Sequence, residues 1–451
     1  MTTIDVDKRD IGTNHGGEKI KLSEMVQTAS QKQVKYASSI QVAMDAAFGN
    51  ASGGALGSQF DMFADKLLAS CKKSDIANFV RIAGKRSKNK TALHMIRRLP
   101  DIASKLDSMV SLAWSYRDIS SIIYGLQCCR ESDDGYLTIM LTMSKIATRT
   151  AMRGEIIQSQ NLSMTLYGLR SNKFRHKESI TLLACLHTIA VSCKEAFKAQ
   201  EVGNALYGLQ GMSSDNADVR SLVRALSDQV QRCNEPLRAQ AVGNALYGLQ
   251  GMRSDNADVR SLVRALSGQV QRCKEPLRAQ EVGNALYGLQ GMSSDNEDVR
   301  SLVRALSGQV QRCNEPLNAQ EVGNALYGLQ GMSSDNEDVR SLVRALSGQV
   351  QRCDEPFDGH AVDNSFYGLL VVFGVDERCS FGLFLIRSYI NFLKRGVSAT
   401  SDGPSSSLTV VMVLPLLKDY FTDDEEECER IISDIDNNSV YQLRASRLLC
   451  I

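Results

Sequence analysis

Two residue types recur in this chain at a spacing that suits recognition. Asparagine stands at Asn204, Asn244, Asn284 and Asn324, and tyrosine three residues later at Tyr207, Tyr247, Tyr287 and Tyr327. A side-chain amide offers a donor and an acceptor to a base edge, and an aromatic ring offers a stacking surface; readers of single-stranded RNA combine the two. The competing reading is structural, with each tyrosine packed between neighbouring elements and each asparagine bonded to a nearby carbonyl. If each repeat reads one base, four identical pairs should read the same base four times, which points to a homopolymeric tract; recent duplication is the rival explanation of the sameness.

Clustered cations form a second candidate. Lys85, Arg86, Lys88 and Lys90 share one short stretch, Lys173, Arg175 and Lys177 share another, and Arg253 occupies the corresponding place further along. Such clusters neutralise phosphates, although Arg130-Glu131-Ser132-Asp133-Asp134 fills the intervening stretch with acid. Arg220 and Arg224, with copies at Arg260/Arg264, Arg300/Arg304 and Arg340/Arg344, make a third series. These guanidinium groups can track phosphates, or can pair with acids such as Asp218 and Glu297.

Catalytic arrangements are missing from the sequence. No P-loop, dinucleotide-binding glycine motif or Ser/His/Asp arrangement occurs, and Gly54-Ala55-Leu56-Gly57 reads as a flexible loop without basic neighbours. Of twelve cysteines, Cys193, Cys233, Cys273, Cys313 and Cys353 recur every forty residues. Equivalent positions on stacked repeats lie ~10 Å apart, beyond the ~7 Å limit of a disulfide. With five histidines, none in ligand spacing, these thiols read as small buried apolar groups. The expectation is a chain that is not an enzyme, with no cofactor, no metal and no evident small-molecule substrate.

The elements that must position these residues follow from the same recurrence. From Lys198 to Asp358 a forty-residue unit appears four times, the mark of a solenoid whose units are stable only when stacked. Val202, Ala205, Leu206, Leu209 and Met212 follow helical spacing, as do Val219, Leu222, Val223, Leu226, Val230 and Cys233. Ser213-Ser214-Asp215-Asn216 separates the two runs with N-cap chemistry, and Asn234-Glu235-Pro236 ends the unit. Gly203 and Gly208 flank the first stripe and allow close approach to neighbouring helices. Fainter copies centre on Tyr124-Gly125, Tyr167-Gly168 and Tyr367-Gly368. The expected fold is all-α, a right-handed α-solenoid of about eight helical hairpins.

The segment Glu201-Val202-Gly203-Asn204-Ala205-Leu206-Tyr207-Gly208-Leu209 resembles the first helix of the octotricopeptide and heptatricopeptide repeat families, which are associated with RAP domains. That resemblance implies an α-solenoid that binds single-stranded RNA in organelle RNA processing, stability or translation, so a mitochondrial or plastid location. Here Gly208 replaces the usual alanine, the period is slightly longer, and no RAP-type domain is recognisable. Asp215-Asn216-x-Asp218-Val219-Arg220 is similar to the second helix of HEAT and armadillo repeats. This second resemblance implies inter-repeat bonds from Asp and Arg, and a protein partner.

The expected organisation is a polar, partly disordered segment over 1–60, divergent basic repeats over 61–200, four near-identical repeats over 201–360 and a divergent capping copy over 361–395. A linker over 396–407 and a helical tail with an acidic run over 408–451 complete it. Basic residues outnumber acidic ones up to residue 200 and the reverse holds beyond, although the net charge is only +1. No run reaches membrane-spanning length, and the first thirty residues lack the continuous apolar stretch of a secretory signal and carry acids that do not suit a transit peptide. The expectation is therefore a soluble intracellular protein, cytoplasmic by default. Its partner is single-stranded RNA, or alternatively an extended protein segment, with no membrane.

Overall fold

The computed structural model describes residues 54–70, 72–85, 91–350 and 352–353, with positions 360–361, 364–365 and 368. Among them every regular element is helical, sixteen α-helices and two short 3-10 turns. They divide into two compact units between Glu195 and Ala196. The polar segment before residue 54, the linker, the tail and nearly all of the capping copy lie outside the described residues.

The first unit contains α1 (Gly54–Ser70), α2 (Lys73–Lys85), α3 (Thr91–Arg97), α4 (Leu99–Ser108), α5 (Tyr116–Gly125), α6 (Tyr136–Met152), α7 (Ser159–Gly168) and α8 (Lys177–Ser192). Helices α2, α5 and α7 stack as one layer and α4, α6 and α8 as a second. Helix α1 corrects two expectations. It begins ahead of residue 61, and it carries Gly54–Gly57 as helix rather than loop. Its cause is apolar: Phe60, Phe63 and Leu67 are buried, and the Phe60 and Phe63 rings lie 5.4 and 5.9 Å from that of Phe79 on α2. The break between α3 and α4 falls just before Pro100, in the first turn of α4, because proline has no N–H for the helix ladder.

The second unit is the near-identical array. Its first helices are α9 (Ala199–Tyr207), α11 (Ala239–Tyr247), α13 (Ala279–Tyr287) and α15 (Ala319–Tyr327). Its second helices are α10 (Ala217–Arg232), α12 (Ala257–Arg272), α14 (Glu297–Gln311) and α16 (Glu337–Val350). First helices stack on first helices and second on second, so each unit is an α-solenoid of hairpins. The core is the apolar stripe of each helix: Val202, Leu206, Leu209, Leu222, Val223, Leu226 and their copies are at most 4% exposed. Asn216 caps α10 by accepting from the Asp218 and Val219 amides at 2.8 and 3.3 Å. The expected three-turn first helix is shorter than its apolar run: α9 stops at Tyr207, and a 3-10 turn covers Gly208–Gly211.

Glycine sets the layer spacing. A Cβ on Gly248 would stand 1.8 Å from the carbonyl oxygen of Leu206 in the preceding repeat, and one on Gly288 would meet that of Leu246 at the same distance. Nothing larger than hydrogen fits there. Gly268, in the exposed interior of α12, has open space around its Cα instead. Gly248→Ala should therefore destabilise the array by about 3 kcal/mol or more through overpacking. Gly268→Ala should stabilise it by about 0.5–1 kcal/mol through helix propensity. Urea midpoints of the two variants check this, and midpoints shifted in the same direction would refute the assignment.

Candidate functional site

Asn204, Tyr207 and Gln210 form one half-exposed line on the first helix, with Gln200 exposed at its start. Three-residue spacing drifts around an α-helix but eclipses in a 3-10 turn, so the turn at Gly208–Gly211 brings Gln210 into line with Tyr207. Sequence reasoning missed Gln210, Gln250, Gln290 and Gln330 because it extended the α-helix past Tyr207. The signal was present in Gly208 and Gly211, which bracket the turn.

The tyrosines stack on one another. Ring centroids of Tyr207 and Tyr247 are 5.6 Å apart, those of Tyr247 and Tyr287 5.7 Å, and those of Tyr287 and Tyr327 5.7 Å, with planes within 23° of parallel. Tyr124 and Tyr167 repeat the contact in the first unit at 5.7 Å, and the Arg170 guanidinium lies over the Tyr167 ring at 4.5 Å. A base intercalated between two rings needs about 7 Å, twice the ~3.4 Å rise of a stacked strand. The faces of Tyr247 and Tyr287 are thus taken by their neighbours. Burial and the adjacent phenol raise the Tyr247 and Tyr287 hydroxyls above the ordinary tyrosine range, while Gln250 and Gln290 act the other way by hydrogen bonding. Among the described residues the side-chain amides of Asn204, Asn244, Asn284 and Asn324 take no hydrogen bond. The array therefore carries one unspent amide per repeat beside a phenolic ladder.

The arginine series is engaged internally. Arg224 grips Asp258 of the next repeat with two bonds at 2.7 and 3.2 Å, Arg264 grips Asp298 at 2.7 and 2.9 Å, and Arg304 grips Asp338 at 2.8 and 2.8 Å. Arg220, Arg260 and Arg300 each donate to two loop carbonyls preceding their own helix. Arg253 lies 3.3 Å from Asp255 in its own loop.

In the first unit Lys173, Arg175 and Lys177 are exposed. The loop is held rigid from below. Buried Asn172 donates to the Tyr136 hydroxyl and to Ser179, both at 3.1 Å, and accepts from the Phe174 amide at 2.7 Å. Phe174 adopts a left-handed φ of 52° and buries its ring, so the residues either side of it face solvent. Arg86, Lys88 and Lys90 lie outside the described residues, as does the side chain of Lys85.

Cys193, Cys233, Cys273 and Cys313 are buried free thiols, and the last three are pushed up in pKa chiefly by burial. Among the described residues no group of three His, Cys, Asp or Glu side chains could hold a metal ion, and no helix is long and apolar enough to cross a membrane. No family model matches the sequence, and no curated protein matches it.

The stacked ladder separates two roles of tyrosine. Tyr287→Phe should leave the urea midpoint within about 0.5 kcal/mol of the parent. Tyr287→Ala should cost about 3 kcal/mol or more, since it opens a cavity and breaks two ring contacts. Equal midpoints for the two variants would show that the rings do not support the stack.

Proposed function

We propose that this chain is a non-catalytic binding scaffold for single-stranded RNA, read by the line of asparagine, tyrosine hydroxyl and glutamine on the first helices. The observation that carries the reading is the recurrence of that polar set once per repeat beside tyrosine rings whose centroids lie 5.6–5.7 Å apart, with its asparagine amides unspent. Two or three side chains per helical repeat, reading one base each, is an established mode of single-strand recognition. Exposed Lys173, Arg175 and Lys177 supply phosphate contacts that are independent of sequence.

One observation favours an extended protein segment instead. Arg224, Arg264 and Arg304 are each committed to an aspartate of the next repeat, which leaves the second helices little free positive charge for a phosphate backbone. A protein partner would use the same unspent amides against its own backbone groups.

Fluorescence anisotropy of the full chain with labelled oligo(A), oligo(C), oligo(G) and oligo(U) tests the proposal. One homopolymer should bind at least tenfold more tightly than the others, about 1.4 kcal/mol, and Asn244→Ala with Asn284→Ala should erase that preference. Replacing Lys173, Arg175 and Lys177 by Ser should weaken all sequences about equally and flatten the salt dependence. Equal affinity for all four homopolymers would sink the base-reading proposal. A nuclease-resistant protein captured through Asn244 and Asn284 would establish the alternative.

A further inference from the structure

The first unit contains two adjacent thiols that its packing does not explain. Cys128 ends the 3-10 turn Leu126–Cys128 that follows α5, and Cys129 is the extended residue after it. Their sulfur atoms lie 3.9 Å apart. In register with the second unit, Cys129 replaces Met212 and is buried like it. Cys128 replaces Gly211, and at the equivalent Gly251 a Cβ would stand 2.0 Å from the Met212 carbonyl oxygen. A side chain at this position is therefore a departure from the repeat, and Cys128 is half-exposed.

The surroundings favour a reactive thiolate at Cys128. The S–H of Cys129 can donate to it across the 3.9 Å gap, and the Arg170 charge acts on it from the next repeat; with the Cys129 bond the larger cause, these hold its pKa below the ordinary thiol value. Arg170 is fixed there by its bond to Gln127 at 2.5 Å and by the Tyr167 ring. Burial, and more weakly Asp133, oppose the shift. Cys129 stays protonated, because burial and its bond to Cys128 both push its pKa up.

We propose that Cys128 and Cys129 form a vicinal-dithiol redox site that a peroxide closes to a disulfide. The Cys128 thiolate attacks one peroxide oxygen and the O–O bond breaks. Cys128 becomes a sulfenic acid, and the departing hydroxide takes a proton to leave as water. The Cys129 sulfur then attacks the Cys128 sulfur, the S–O bond breaks, and a second water leaves with the Cys129 proton. Two thiols lose two electrons and the peroxide gains them. The sulfurs must close from 3.9 Å to ~2.05 Å. Neighbouring Cα atoms sit ~3.8 Å apart across a trans peptide, shorter than the usual disulfide range of ~4.4–6.8 Å, so the ring is strained and readily reduced. Strained, exposed disulfides are the regulatory kind. Closure pulls on Gln127, whose side chain and carbonyl accept from Arg170 and Ser171 of the next repeat.

Peptide mapping of the full chain tests this. After brief hydrogen peroxide treatment, thiol alkylation and trypsin digestion without reductant, residues Asp118–Arg130 should form a peptide holding only these two cysteines. It should be unalkylated and lighter by two hydrogens, and dithiothreitol should restore its alkylation. Closure should run about tenfold or more faster than oxidation of the buried Cys233 and Cys273, because thiolate character and access control the rate. Cys129→Ser should leave a Cys128 sulfenic acid that dimedone captures. A peptide that stays doubly alkylated, or carries Cys128 sulfinic acid beside alkylated Cys129, overturns the proposal on the wild-type chain alone.

Discussion

Everything in the second unit depends on a carbonyl oxygen meeting a backbone that has no side chain. Helices with ordinary side chains at their contact pack 8–10 Å apart. At Gly248, Gly288 and Gly328 the missing Cβ leaves room for the Leu206, Leu246 and Leu286 oxygens, each of which would lie 1.8 Å from it. That approach draws the first helices together at one point, and the tyrosines one residue earlier fall to stacking distance. The first unit keeps the rule in looser sequence: Gly168 meets the Ile123 oxygen and Gly125 that of Val80. Glycine costs helix propensity, which explains why α9 gives way to a 3-10 turn at this residue.

Polar bonds then tie each repeat to the next. The last carbonyls of an α-helix have no partner within it. In α10 those of Val230 and Cys233 accept from Gln269 at 3.1 and 3.0 Å, and Cys233 and Asn234 accept from Arg272. The Ser254 hydroxyl accepts from the Ser293 amide at 2.8 Å, and its own amide donates to Gly291. Within the repeat, Glu235 accepts from the Ala199 amide at 3.0 Å and clamps the hairpin shut. Glu195 does the same for Ser159 in the first unit. A single hairpin would leave buried carbonyls unpaired at one end, so stability belongs to the junctions.

Local interactions were legible in the sequence. Of the distant ones only an inter-repeat Asp–Arg bond was implied, by the resemblance to HEAT and armadillo repeats, with Arg220 rather than Arg224 in the matching motif. The two apolar stripes, the Asn216 cap, the loop at Ser213–Asn216 and the burial of Cys233 all follow from spacing within one unit. The Arg224–Asp258 bond spans 34 residues, and nothing in spacing decides whether Arg224 faces Asp218, Asp258 or solvent. Gln269 is the clearest missed signal. It is a polar residue set between Leu266 and Val270 on an apolar face, and burial there demands partners, which the preceding repeat supplies to its amide nitrogen. Helix α1 was misread because Gly54 and Gly57 suggested a loop, whereas the aromatic contacts of Phe60 and Phe63 override propensity.

The differences among the four copies bear on why the asparagines recur. Position 228 is Asp once and Gly at 268, 308 and 348; position 253 is Arg where 213, 293 and 333 are Ser; position 217 is Ala where 297 and 337 are Glu. These three positions are mainly exposed, but position 241 is a buried Ala where the buried Glu201 and Glu281 accept from the amides of Lys198 and Arg278, so bonded positions vary as well. Tyr207 and its copies stay constant because each must stack on the next. Asn204 and its copies have no such bond, yet they do not vary, and Asn364 keeps the residue in a copy where Ser365 and Phe366 replace Ala and Leu. In the first unit, where the same register carries Ser121 and Met164, the tyrosine stack persists without the amide. Packing thus accounts for the tyrosine, whereas the asparagine recurs together with exposed Gln200, Gln240, Gln280 and Gln320, a sameness that recent duplication of the repeat also produces.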